Sequence, residues 1–193
     1  MIHVVDTLPP FCYPIDYTID RNELTASLNI LSNRLRFNQR NSAFNLTHLP
    51  ELTGKDRWNL HAGSHRFLVE AGVNELNFTE LLEEVKDLYL GKIIQDLYKQ
   101  HNGPFQGRCQ ISIQPPKSNY GPHIDKHTSS RYHIPLITNA NCYWKFYKDN
   151  EIYKLHMPAD NKVWYVDSVN IKHDFHNDWD NYRWHLILAN SII

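Results

Sequence analysis

CQISI (109–113), YHIPLI (132–137), YWKFY (143–147), IYKLH (152–156), KVWYV (162–166), VNIKHDF (169–175) and WHLILA (184–189) follow one another through the second half of the chain. Each is a short apolar or aromatic run of strand length, and breakers separate them: Pro115-Pro116, Asn139-Ala140-Asn141, Lys148-Asp149-Asn150, and the polar stretches 158–161 and 177–181. Many short strands at near-regular spacing predict a sandwich or barrel.

Upstream the period changes. Asp20 is placed as an N-cap with Glu23 as its capping-box partner, and Leu24, Leu28, Leu31 and Leu35 follow at helical spacing, which predicts a helix over 21–36. By the same logic Asn77 and Glu80 open a second helix over 78–101, stopped by Gly103-Pro104. Both are expected to pack on one face of the sheet that follows. Residues 1–19 are Pro-rich and predict an edge strand or extended lead-in around 11–17. Residues 38–76 sustain no period, which suggests a lid or substrate-binding segment. The expected fold class is α+β, mainly β, in one domain over 1–193: a helical N-terminal part (1–104) and a β core (105–193).

Composition narrows the function. Acidic and basic residues nearly cancel, to a net charge of −1, so neither nucleic acid nor a membrane surface is expected as a partner. No apolar run approaches the ~20 residues of a membrane helix, and no signal peptide is visible. Cys12, Cys109 and Cys142 are odd in number with no C-x-x-C, which points to a reducing, cytoplasmic setting. The 12 histidines supply metal ligands but also make chance motifs common, so each must be weighed. His61 and His65 are four apart but lack the glutamate of a zinc-protease helix, and no metal role is assigned to them.

His123-x-Asp125 is different in its company. In an extended segment residues two apart point the same way, so both side chains reach one ion. His173, in a later strand-like run, is the candidate third ligand. Two imidazoles and a carboxylate leave open positions, as at non-heme Fe(II) that binds O2 and an organic chelator; zinc is the runner-up metal. Arg183 follows His173 past a polar turn, on what is expected to be the next antiparallel strand of a hairpin. Its planar fork suits a buried carboxylate. Arg131 and His133 share one strand face and offer a second cationic patch. His176-x-Asp178 repeats the His-x-Asp pattern and is taken as accidental.

These pieces, Gly121-Pro-His-Ile-Asp125, Arg131-Tyr-His-Ile-Pro-Leu136 and His173-x-x-x-Asn177-x5-Arg183-x-His-Leu-Ile187, resemble the aspartyl/asparaginyl β-hydroxylase family of Fe(II)- and 2-oxoglutarate-dependent oxygenases. The resemblance covers roughly 105–190 and leaves the N-terminal half unmatched. It implies a double-stranded β-helix (jelly-roll, cupin-like) core of ~8 strands. It also implies iron held by His123, Asp125 and His173, Arg183 on the distal carboxylate of 2-oxoglutarate, and Arg131 and His133 helping to position that co-substrate. The carboxylate ligand is present, as in the branch similar to proline cis-hydroxylases, which argues against halogenation. The implied reaction is hydroxylation of an unactivated C–H of a free amino acid, or of an Asp- or Asn-type side chain in a peptide or protein. Succinate and CO2 leave, and ascorbate is a candidate stimulant. The rival readings are a non-catalytic cupin-like binding module, which predicts incomplete ligands, and a zinc hydrolase, for which no well-placed glutamate base is visible.

Overall fold

The computed structural model describes residues 2–4, 8–35, 43–50, 72–100, 107–125 and 130–190. Thirteen described strands fall into two facing sheets and a two-stranded ribbon. The first sheet runs β1 (Ile2–Val4), β10 (Glu151–Leu155), β9 (Cys142–Lys148), β12 (Lys172–Asn177), β7 (Ser118–His123). The second runs β2 (Cys12–Thr18), β11 (Lys162–Val166), β8 (Ser130–Ile137), β13 (Arg183–Asn190), β6 (Cys109–Gln114), β3 (Ala43–Asn45). From β6 onward the chain passes back and forth between the sheets, which is the interleaving of a double-stranded β-helix.

Alternation along the strands sorts the two cores. On β8, Ile134 and Leu136 point outward with Ile111, Ile113, Leu186 and Leu188 of their neighbours, forming the floor on which the helices lie. Their apolar partners are Leu24 and Leu31 of α1 (Arg21–Leu35), Val85 of α2 (Glu83–Lys86) and Leu90, Ile93, Ile94 and Leu97 of α3 (Tyr89–Gln100). Between the sheets lies a second, more aromatic cluster of Phe11, Trp144, Phe146, Trp164 and Val166. The predicted placement of the helices on one sheet is thus observed.

Local chemistry explains the element ends. Asp20 Oδ1 accepts from the N–H groups of Asn22 (2.8 Å) and Glu23 (3.2 Å), so the cap is real. The reciprocal half of the capping box is not formed: the Asp20 N–H donates to the Tyr89 hydroxyl at 2.9 Å, joining α1 to α3. Arg21 clamps the same helix to the sheet through the carbonyls of Pro135 and Leu136.

The single helix expected over 78–101 is broken. Asn74, not Asn77, caps a 3₁₀ turn (Glu75–Asn77), and β5 (Glu80–Leu81) pairs with β4 (Thr47–His48). Helix begins only at Glu83, and again at Tyr89 after a turn. The Leu82 N–H is drawn to the Leu46 carbonyl, which competes with a continuous helix. Gly91 lets α3 fold back against α2, since a Cβ there would land on the Val85 carbonyl oxygen. Part of the supposed lid is likewise strand: β3 pairs with β6, and β4 with β5. Residues 51–71, with His61 and His65, and the Gly103-Pro104 stop lie outside the described residues.

Three prolines lie on described strands. Pro122 sits on β7, an edge strand, where its missing N–H costs no ladder bond. Pro135 is on the central strand β8, and the register of β13 slips beside it, between Trp184 and His185. Pro14 lies on β2, at the edge of its sheet as the lead-in predicted.

Candidate metal and co-substrate site

His123 closes β7, Asp125 follows two residues later, and His173 lies on the neighbouring β12, directly opposite His123 in the register. A bulge between His173 and Phe175 turns this end of β12. One ligand atom from each of His123, Asp125 and His173 lies within 4.8 Å of the other two, a spacing that one metal ion spans. His176-x-Asp178 takes no part: His176 pairs with Asp174 and stacks on Tyr143.

Hydrogen bonds preset each ligand. His123 Nδ1 lies 2.8 Å from the Gly121 carbonyl, and His173 Nδ1 2.9 Å from that of Ile171. A carbonyl only accepts, so both rings carry their proton on Nδ1 and present the Nε2 lone pair. Asp125 is anchored through its own N–H to the Ser168 carbonyl, and its Oδ2 receives Arg131 Nε at 2.6 Å. That leaves Oδ1 on the ligand side, 3.8 Å from His123 Nε2. Burial by itself would raise the Asp125 carboxyl, but the Arg131 guanidinium, then His173 and the Ser168 hydroxyl, hold it at about 2. Burial lowers the His173 imidazole, against the opposing pull of the Ile171 carbonyl and Asp125. These shifts favour the unprotonated, metal-ready forms of Asp125 and His173 at neutral pH.

Arg183 reaches the site by a different path from the hairpin expected. β12 and β13 belong to opposite sheets, so the chain crosses the sandwich instead of doubling back. Asn177 makes the crossing possible: its Nδ2 donates to the carbonyls of Gln114, Pro115 and Asn181, tying the end of β6 to the 178–182 connection. Arg183 then points between the sheets, its guanidinium over the Phe175 ring at 5.1 Å and the Trp144 ring at 5.6 Å. Its polar neighbours are neutral, Gln114 Oε1 at 3.3 Å and His185 Nδ1 at 3.2 Å. Only 4 % of Arg183 is exposed, and among the described residues no carboxylate pairs with it. Burial pulls its pKa down to about 10, which still leaves it cationic.

Arg131 and His133 do share the inward face of β8, but their situations differ. Arg131 is engaged by Asp125 through Nε and by Glu75 through Nη2 at 3.4 Å, so its charge is shared between the two carboxylates. His133 is fully buried, and neither ring nitrogen has a partner among the described residues. Its edges face Trp144 and His185. His185 accepts from Arg183 on Nδ1, so its proton is on Nε2, also without a partner. Gln114, Trp144 and His185 were not singled out as site residues by sequence. Of the three, His185 alone stands in a piece that carries the family resemblance, Arg183-x-His-Leu-Ile187.

The model of the family described as aspartyl/asparaginyl β-hydroxylase matches residues 86–190, more than half of the chain. The chain belongs to that family. It is an oxygenase of the kind that uses Fe(II), 2-oxoglutarate and O2. Its fold is similar to that of a 2OG-Fe(II) oxygenase-family oxidoreductase from Burkholderia pseudomallei, at 16% identity and TM-score 0.53, over 94% of this chain and 84% of that one. It is also similar to a prolyl hydroxylase from Trichoplax adhaerens solved with a hypoxia-inducible-factor peptide fragment (16% identity, TM-score 0.55, 93% and 82% covered). A prolyl-4-hydroxylase from Pseudomonas putida matches at 11% identity and TM-score 0.52, over 94% and 85%. A comparison with curated proteins finds no match.

The residues present fit both groups. Three ligands with preset lone pairs suit a divalent metal with open positions. A buried cation with no anion and imidazole nitrogens with no partner among the described residues suit an organic dianion, because such groups are costly to bury unpaired.

The buried imidazoles of His133 and His185 carry a pH consequence. Burial pushes His133 and His185 far below their usual range, with Arg183 adding to the effect in both and Arg131 also in His133. As pH falls through about 6.5 the unfolded chain therefore takes up protons that the folded chain refuses, and stability is lost in that direction. The slope is about 1.4 kcal/mol per pH unit for each ring. Urea unfolding of metal-free protein at pH 7.5 and 5.5 is expected to show a lower midpoint at the acid pH, with a smaller drop in His133→Gln. Equal midpoints would contradict neutral, buried rings.

Proposed function

We propose that this enzyme hydroxylates an unactivated C–H of an amino acid, free or as an Asp- or Asn-type residue of a peptide, with conversion of 2-oxoglutarate to succinate and CO2. His123, Asp125 and His173 are assigned as the metal ligands, Arg183 as the partner of the distal carboxylate of 2-oxoglutarate, and His133 and Arg131 as further contacts to it. The observation that carries the reading is the buried Arg183 with no acidic partner among the described residues, across the sandwich from a preset three-ligand cluster. Iron, when bound, supplies the activation of O2 that the side chains of a protein cannot.

The chain's own part is positional. The Gly121 and Ile171 carbonyls hold the two imidazoles, and Arg131 holds Asp125 so that one oxygen is offered to the metal. Arg183, braced by Gln114 and His185, fixes the far end of the co-substrate between the rings of Trp144 and Phe175. Those aromatic walls exclude water from the reacting centre.

The edge position of β7 leaves His123 half-exposed, with Tyr120 and Ile124 exposed beside it, which supports entry of the substrate from that side. The family match supports a polar, carboxylate-bearing target. We read the chain as one catalytic domain, 1–193. The thiols of Cys12, Cys109 and Cys142 are all buried and unpaired, which supports a cytoplasmic setting, and no described helix is long and apolar enough to cross a membrane.

The decisive assay supplies Fe(II), ascorbate and 2-oxoglutarate with a panel of free amino acids and Asp- or Asn-containing peptides, and follows succinate. Substrate-dependent succinate is expected with at least one member. A protein that binds metal but leaves 2-oxoglutarate untouched throughout would be a binding module or a zinc enzyme instead.

A further inference from the structure

Behind the metal ligand Asp125 lies a row of buried, alternating charges that the reaction itself does not call for. Asp125 is held by Arg131, Arg131 reaches Glu75 on the 3₁₀ turn, and Glu75 pairs with Arg108 at 2.5 Å on the approach to β6. The side chains of Glu75 and Arg108 are 1% and 3% exposed, so neither is screened by solvent. Burial drags the Arg108 guanidinium down to about 10, while Glu75 opposes the shift. Tyr98, whose hydroxyl donates to the Gly107 carbonyl, lies in the same electrostatic neighbourhood.

A buried ion-pair row is a poor source of stability, since desolvation consumes most of the attraction. Its placement is more telling. Arg131 has two anionic neighbours, Asp125 and Glu75, and its share for each is set by the other. Without Glu75, two guanidinium groups would sit behind one carboxylate, and the positive potential at the ligand cluster would rise. Without Arg108, the same potential would fall.

We propose that Glu75 is a positioning residue for the metal ligand Asp125. It acts through Arg131, is charge-balanced by Arg108, and sets how tightly the cluster holds a divalent cation. The inference rests on the ligand assignment made under Proposed function.

The test is Mn2+ affinity by calorimetry in full-length protein, with Mn2+ standing in for Fe(II) because it does not oxidise. Glu75→Gln keeps the shape and removes the charge, and is expected to weaken binding roughly tenfold or more, the scale of changes behind a metal ligand. Arg108→Gln is expected to tighten it. The double variant is expected to return to within about threefold of the parent, because the remaining Asp125–Arg131 pair is again balanced. A merely structural cluster would weaken binding in both single variants; that pattern, or a Glu75→Gln protein indistinguishable from the parent, overturns the proposal. Should Glu75→Gln fail to fold, the sign of the Arg108→Gln effect decides alone. A parent protein that binds no Mn2+ would instead sink the ligand assignment itself.

Discussion

His173→Ala is expected to bind no metal at micromolar concentration and to turn over 2-oxoglutarate at less than about one per cent of the parent rate, since open metal sites rest on three protein ligands. The size of the effect follows from where the ring sits. His173 is 2% exposed, faces His123 across the β7–β12 pair with ring centroids 4.5 Å apart, and is oriented by the Ile171 carbonyl. Removing it leaves His123, which is partly exposed, and Asp125, which Arg131 already shares. Neither can hold an ion in a fixed direction toward the space between the sheets. The truncation also opens space beside Trp144 and Phe146, so near-UV circular dichroism must accompany metal analysis and the succinate assay. His173→Gln, closer in size, separates the two effects: the fold signal returns while metal and turnover stay lost. A folded His173→Ala protein that retains iron and turns over within about tenfold of the parent would end the assignment.

The grouping of His123, Asp125 and His173 is partly readable because strand parity is a local property. A two-residue step puts His123 and Asp125 on one side, and the same rule puts Arg131 with His133, and Arg183 with His185, on the inward face of their strands. The cap at Asp20 and the edge position of the Pro14 strand were readable for the same reason. What sequence could not supply is which sheet each strand joins. The stretch from His173 to Arg183 has the length and polarity of a hairpin, and yet Asn177 spends its amide on Gln114, Pro115 and Asn181 and sends the chain across the sandwich. The second helix failed on a similar competition, with the Leu46 carbonyl claiming a backbone N–H that an uninterrupted helix would need. Glu75 and Arg108 were invisible because nothing in their neighbours shows that two distant charges will be buried against Arg131. Long-range pairing of polar groups has no period to read.

Arg183→Met is expected to raise the concentration of 2-oxoglutarate needed for half-saturation by about a hundredfold, while Mn2+ affinity changes by less than about threefold. Loss of one partner from a buried charge pair costs about 2–5 kcal/mol, which brackets that factor. The metal is spared because Arg183 touches Gln114, His185, Trp144 and Phe175 but none of the three ligands. The same substitution should make the protein without co-substrate more stable, not less. In that state the guanidinium is a buried cation whose partners among the described residues are neutral, and a well-packed apolar chain in its place removes the desolvation cost. Binding and stability therefore move in opposite directions, which a residue serving only the fold cannot produce. Arg183→Lys separates charge from shape: a point cation keeps the attraction but loses the planar fork, so an intermediate loss is expected. Equilibrium titration of 2-oxoglutarate into the anaerobic Mn2+ complex, paired with urea unfolding of the free protein, reads both quantities. An unchanged 2-oxoglutarate requirement, or a variant that is simply less stable, would move the co-substrate's anchor away from β13 and leave the buried cation to be explained by a different anion.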